Sequence, residues 1–132
     1  MIIRKANKND LTSIMKVYLS CINGMIKHGI TQWDNKYPNT KIIEQDIIAK
    51  TYYVFIEEDV IIAGINIDKK QDPAYLKIKW EDNTNQFLVI HRLAVKYNSW
   101  GKNTGKSLMK FAEELVVKKQ LKSIRLDTYY DN

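Results

Sequence analysis

The chain has 132 residues, 45% of them hydrophobic and 27% charged, with a formal net charge of +6. That length suits one domain, residues 1–132, with enough chain to bury a core. No segment has the apolar length needed to cross a bilayer, and the single cysteine, Cys21, cannot close an internal disulfide.

MIIRKANKND at the start contains no apolar core of a signal peptide, so a cytoplasmic location is expected. Ile2 to Ala6 reads as a short strand. Asn9 or Asp10 can cap a helix running to about Lys27, with Leu11, Ile14, Met15, Tyr18, Ile22 and Met25 as its apolar stripe. Gly29 ends it, and the polar loop GITQWDNKYPN follows. Asn39 or Thr40 can start a second helix carrying Ile42, Ile43, Ile47 and Ile48.

TYYVFIEEDVIIAGINI is a hairpin pattern, two β-branched and aromatic runs flanking Glu57-Glu58-Asp59. The polar stretch Lys69 to Asn85 contains DPAYLKIKW, read as an extension of the sheet. Gln86 to Val95, QFLVIHRLAV, is apolar enough for a central strand buried on both faces. A loop from Lys96 to Thr104 leads into a helix from Gly105 to about Lys119, with Leu108, Ala112, Leu115 and Val116 on one face. Ser123 to Thr128 is a last strand. The order β-α-α-β-β-β-α-β gives an α/β chain of the α+β type, with a mixed sheet flanked by helices. Its final strand–helix–strand unit is a right-handed crossover if the two strands are parallel.

Charge is uneven along this order. Arg92 to Arg125 holds nine Lys/Arg against Glu113 and Glu114, leaving twelve basic and thirteen acidic residues elsewhere. A polyanion near the loop before the last helix fits that surplus, either a phosphate-bearing cofactor or nucleic acid; a solvated lysine-rich helix face is the plainer reading. Nucleic acid is disfavoured, because the basic residues lack interleaved aromatics for base stacking.

The loop itself, WGKNTGKSLM, imitates a nucleotide P-loop but departs from it. Only three residues separate Gly101 from Gly105, and Trp100 stands where the first glycine should be. What survives is the physics of a glycine-containing loop opening a helix. Its first amides and the positive end of the helix dipole face any anion in front, with Lys102 and Lys106 beside it. Ordinary turn glycines at a helix start would look the same.

VIHRLAVKYNSWGKNTGKSLMKFAEELV resembles the acetyl-CoA segment of the GNAT acyltransferases, a strand, a (Q/R)xxGx(G/A) loop and a helix. IIRKANKNDL, the hairpin and SIRLDTYYDN extend the resemblance over essentially the whole chain, and QW, YP, IHRLAV and RLDT are similar to one bacterial subgroup. It implies a GNAT-like fold with a mostly antiparallel sheet, and transfer of an acetyl group from acetyl-CoA to a primary amine by direct attack in a ternary complex. No metal is required, and the acceptor is a small molecule or peptide amine. The resemblance places the cofactor against Leu93, Ala94, Val95, Gly101, Lys102, Asn103, Thr104, Gly105 and Lys106. Trp100 stands for the family's Gln/Arg and Asn103 for its first Gly; Asn tolerates a left-handed backbone, so the loop can keep its shape. Family members usually continue past the last strand with an Asn, a helix and two strands, so a C-terminally shortened fold is expected, its last strand covered by a second copy in a homodimer. The alternative is a non-catalytic CoA-binding or oligomerising remnant.

For catalysis, His91 is the only histidine in the expected sheet and could act as base directly or through water, or be held by hydrogen bonds in the core. Asp127 could orient a base, or neutralise Arg92 or Arg125 across neighbouring strands. Glu81 and Asp82 are further candidates. Tyr129 or Tyr130 could protonate the leaving thiolate, and Trp33, Tyr37 and Trp80 could wall an acceptor pocket. Cys21, in the first helix, is expected to lie away from the groove.

Overall fold

The computed structural model describes residues 2–29, 38–69 and 87–126. Strand β1 (Ile2–Lys5) is followed by a short 3-10 turn, helices α1 (Leu11–Lys27) and α2 (Thr40–Ile48), strands β2 (Tyr52–Glu57), β3 (Val60–Asp68) and β4 (Phe87–Val95), helix α3 (Thr104–Lys118) and strand β5 (Ser123–Leu126). This is the order expected. The sheet runs β1-β2-β3-β4-β5, antiparallel throughout except for the parallel pair β4–β5.

Local chemistry explains the boundaries. The 3-10 turn before α1 starts in a capping box: the Asn7 side chain accepts from the Asn9 amide at 2.9 Å, and Asp10 accepts from the Asn7 amide at 2.8 Å. Asn39 caps α2 through the amide of Ile42 at 2.9 Å. Glu58 and Asp59 both have positive φ, the backbone that a tight two-residue hairpin needs to match strand twist.

The sheet divides two cores. On one face α1 and α2 pack Ile14, Val17, Tyr18, Ile43 and Ile47 onto Tyr52, Val54 and Ala94. On the other, α3 packs Leu108, Ala112 and Val116 onto Tyr53, Phe55, Ile65, Leu88 and Ile90. Successive β2 residues thus serve alternate faces, and Phe87 to His91 of β4 are all buried, as a central strand requires. The buried stripe of α1 is rotated from the expected one. Val17, Cys21 and Gly24 lie on it with Ile14 and Tyr18, while Leu11, Met15, Ile22 and Met25 flank it half-buried.

Strand β4 carries an irregularity. Gly64 pairs with Ala94 and Asn66 with His91, so Ile65 faces both Arg92 and Leu93. Arg92 takes φ +57 to make this bulge. Among the described residues β5 pairs with β4 at Phe87 to Ile90, the first half of β4, and a groove lies beside the second half.

Candidate functional site: a groove between strand and helix terminus

The bulge is held from three directions. The Tyr18 hydroxyl donates to the Arg92 carbonyl, and the Tyr52 hydroxyl donates to Tyr18 at 2.9 Å. Both phenols are fully buried, and burial pushes them well above the ordinary tyrosine value. Gly64 makes this possible, since a Cβ there would lie 2.0 Å from the Tyr52 hydroxyl oxygen. The Arg92 side chain turns to α2, where Nε and Nη2 each donate to Asp46 at 2.8 Å. Burial raises the Asp46 carboxyl, and the Arg92 charge offsets part of that rise.

Among the described residues Arg92 is paired with Asp46, on a helix whose inward face also carries Ile43 and Ile47. Arg125 is buried with its guanidinium 3.8 Å from the centre of the Phe87 ring. Asp127 lies outside the described residues, as do Trp33, Tyr37, Trp80, Glu81, Asp82, Tyr129, Tyr130 and the DPAYLKIKW segment.

His91 precedes the bulge and is 7% exposed. Its Nε2 lies 2.9 Å from Asp68 Oδ1, and the Asn66 side chain donates to Asp68 Oδ2, also at 2.9 Å. Thr51 donates to Asn66 Oδ1 at 2.6 Å, completing a polar chain that runs from the start of β2 across β3 to β4.

Beyond the bulge, a groove of about 430 Å3 lies between β4, α1 and the start of α3. Leu93 and Val95 wall it, and Gly101, Asn103, Thr104, Gly105 and Lys106 close its end. Ala94 points to the opposite face, into the core under α1, and the exposed Lys102 stands outside the lining. Cys21 does line the groove, contrary to expectation. The inward stripe of α1 carries it beneath Val95, whose backbone amide faces the thiol; burial raises that thiol and the amide offsets part of the rise.

The loop before α3 turns through left-handed backbone. Gly101 has φ +78 and Asn103 φ +65, so Asn103 adopts the left-handed backbone that its residue type tolerates. The Asn103 side chain does not cap α3, and no acid stands in its first turn. A Cβ at Gly105 would meet nothing within 4 Å, so the fold itself has no steric need for glycine there. The rest of the loop is anchored. Trp100 Nε1 donates to the Val95 carbonyl at 2.8 Å, and the Tyr97 amide donates to Ser20 Oγ at 3.0 Å. The Tyr97 ring sits on the α1 backbone, where a Cβ at Gly24 would come within 2.0 Å of Cδ2. Trp100 and His28 stack around Tyr97 with ring centres 4.9 and 5.9 Å away.

Sequence reasoning missed Asp46, Asp68, Tyr52 and Cys21. An acid at the i+3 position from one core isoleucine and next to another was the available signal for Asp46, since a carboxylate on an apolar face demands a cation. Among the described residues no three His, Cys, Asp or Glu side chains group as metal ligands, and no helix is long and apolar enough to cross a membrane.

The model of the acetyltransferase (GNAT) family matches residues 22–132. No curated protein matches the chain. Among solved structures, a Staphylococcus aureus Mu50 protein described as an acetyltransferase is 27% identical over 97% of this chain and 80% of its own, with a TM-score of 0.79. A GNAT-family acetyltransferase of Streptococcus agalactiae 2603 is 24% identical over 99% and 77%, with a TM-score of 0.84. The PaiA N-acetyltransferase of Thermoplasma acidophilum, solved with coenzyme A, is 19% identical over 99% and 80%, with a TM-score of 0.74. These last two show likeness of fold.

Proposed function

Because the chain belongs to the GNAT acetyltransferase family and is an acyltransferase by that membership, we propose that it moves an acetyl group from acetyl-CoA to a primary amine by direct attack. The observation that carries this reading is the end of the groove. Left-handed backbone at Gly101 and Asn103 leads into an α3 whose first amides have no side-chain cap among the described residues, flanked by Lys102 and Lys106. That arrangement suits a pyrophosphate, and the open space at Gly105 lets it come close to the backbone. Leu93 and Val95 would lie along the pantetheine arm, with the thioester next to the bulge at Arg92.

In this reading the chain's residues perform three tasks. The α3 terminus and its lysines bind the donor. The bulge, fixed by Tyr18 and Asp46, turns β4 so that a backbone amide can polarise the thioester carbonyl. His91 takes the proton of the attacking amine directly or through one water, with Asp68 orienting its ring. Bond changes are then complete: nitrogen bonds to the acetyl carbon, the C–S bond breaks, and the amine proton passes to His91. Asp127 would orient the base, and Trp33 and Trp80 would wall the acceptor.

Val95 sets a requirement on donor binding. Its carbonyl already accepts the Trp100 indole, so the arm would have to approach this carbonyl along its second lone pair. Thermal melting with acetyl-CoA, with ATP–Mg as control, tests the proposal. A donor at one hundred times its Kd should add about 2.7 kcal/mol of stability. Stabilisation by acetyl-CoA and not by ATP–Mg is expected, and its absence would refute the donor assignment.

A further inference from the structure

A second cavity, of about 370 Å3, lies at the other end of α3 from the groove. Between Lys106 in the lining of the groove and Leu115 in that of the second cavity lie eight residues of α3, about 13 Å along the helix at the usual rise. Its walls are apolar, formed by Leu88 of β4, Ile67 of β3, and Leu115 and Leu121 of α3 and its exit. Its rim is cationic: Lys5, Lys50, Lys69 and Lys119 come from four separate elements or their ends.

None of these four ammonium groups makes a salt bridge among the described residues. Asp68 is the only acid in the lining among the described residues, and its carboxylate oxygens are turned to His91 and Asn66. Lys50 and Lys119 stand at the C-terminal ends of α2 and α3, where a cation suits the helix dipole. Lys5 and Lys69 stand at strand ends and have no such role. Lys50 also occupies the left-handed position after α2, φ +61, where glycine would fit without strain.

An independent observation points into the same cavity. Tyr53 lines it and is 8% exposed, yet its hydroxyl makes no hydrogen bond among the described residues. A buried tyrosine hydroxyl usually finds a partner. Its ring is fixed edge-on against Phe111, with centroids 5.0 Å apart.

We propose that this cavity binds a small molecule with an apolar body and a phosphate or carboxylate head, the body against Leu88 and Leu115, the head among the four lysines, with the Tyr53 hydroxyl donating to it. The volume lies within the usual range for small-ligand pockets. Occupancy here is separate from donor binding, since the two cavities share no lining residue.

Amide chemical shifts of the full chain, titrated with phenyl phosphate, benzoate or inorganic phosphate, test this, with coenzyme A marking the groove. Phenyl phosphate, benzoate or both should move the amides of Lys50, Thr51, Lys69 and Leu121 saturably and leave Gly101 to Lys106 in place, and the stronger of the two identifies the head group. Inorganic phosphate, lacking the apolar body, should bind at least about tenfold more weakly. Lys50→Gly combined with Lys119→Gln should lower affinity about tenfold or more. The first change relieves a left-handed backbone, so the loss cannot be assigned to unfolding. Tyr53→Phe, which removes only the hydroxyl, should weaken binding severalfold. Shifts confined to Gly101–Lys106, no saturable shift with either aromatic probe, or unchanged affinity in the double variant would overturn the proposal.

Discussion

The hydroxyl of Tyr18, on the first helix, donates a hydrogen bond to the backbone carbonyl of Arg92, seventy-four residues away in β4. Arg92 is the residue whose left-handed backbone makes the bulge, so the shape of the central strand depends on a side chain from the opposite layer. Tyr18→Phe should cost about 1–3 kcal/mol, the price of a buried acceptor losing its donor. Tyr52→Phe, one step further from the strand, should cost less. Urea melts of the two variants decide the order, and an equal or larger loss at Tyr52 would contradict this account.

Gly105 separates binding from folding. Its backbone is helical and its missing Cβ would enter open space, so Gly105→Ala should raise stability by up to about 1 kcal/mol. The same methyl stands where the donor's pyrophosphate is proposed to approach. Acetyl-CoA affinity, measured by calorimetry, should fall about tenfold or more. A variant that is more stable and binds equally well would remove the donor from this position.

Asn103 offers the complementary test. At φ +65 a β-branched residue is strained by about 1–2 kcal/mol, whereas glycine is not. Asn103→Gly should therefore keep both stability and donor binding, and Asn103→Val should lose both. Parallel melting curves and titrations would show it.

His91 is the proposed base, with Asp68 as its orienting partner. His91→Gln should lower kcat about 100-fold or more while acetyl-CoA affinity stays within about twofold. Asp68→Asn should lower kcat and shift the basic or acidic limb of the pH–rate profile, which a merely structural Asp68 would leave in place. Steady-state kinetics with any amine that is turned over gives both readouts.

Asp10 predicts a pH dependence of stability. Arg4 donates to both its oxygens at 2.7 and 3.0 Å, and this pairing, with the Asn7 amide, holds the carboxyl below its ordinary value. The unfolded chain then binds its proton at higher pH than the folded one does. The contribution is complete above the ordinary carboxylate value and is lost as pH falls through the lower folded value. Acid titration of Asp10→Asn should show less loss of stability over that interval than the parent chain. The variant should also be weaker at neutral pH by about 1 kcal/mol, through the damaged capping box.

What the sequence revealed and what it hid divide by range. The helix and strand order was legible because alternation and 3.6-residue periodicity are local, and Asn103 at a left-handed position followed from its standing for a glycine of the resembled motif, together with the tolerance of Asn for that backbone. The supports of the site were not legible. Tyr18 with Arg92, Arg92 with Asp46 and His91 with Asp68 join residues 74, 46 and 23 positions apart. Periodicity assigns a face to each such residue but gives no depth along the sheet. Cys21 shows the limit most plainly: its place on the inner stripe of α1 depended on a helix rotation of a fraction of a turn, which moved it from beside the groove to its wall.

The seat of the Tyr97 ring on the bare backbone at Gly24 carries a kinetic consequence. With its ring lodged against α1 and its amide on Ser20, the loop before α3 is anchored to the body of the fold without a ligand. Binding there has little loop entropy to lose. Capture should then proceed as a collision with a rigid receptor, its rate set by diffusion and by attraction from Lys102 and Lys106. Its speed should fall with added salt, while the departure rate should hardly change.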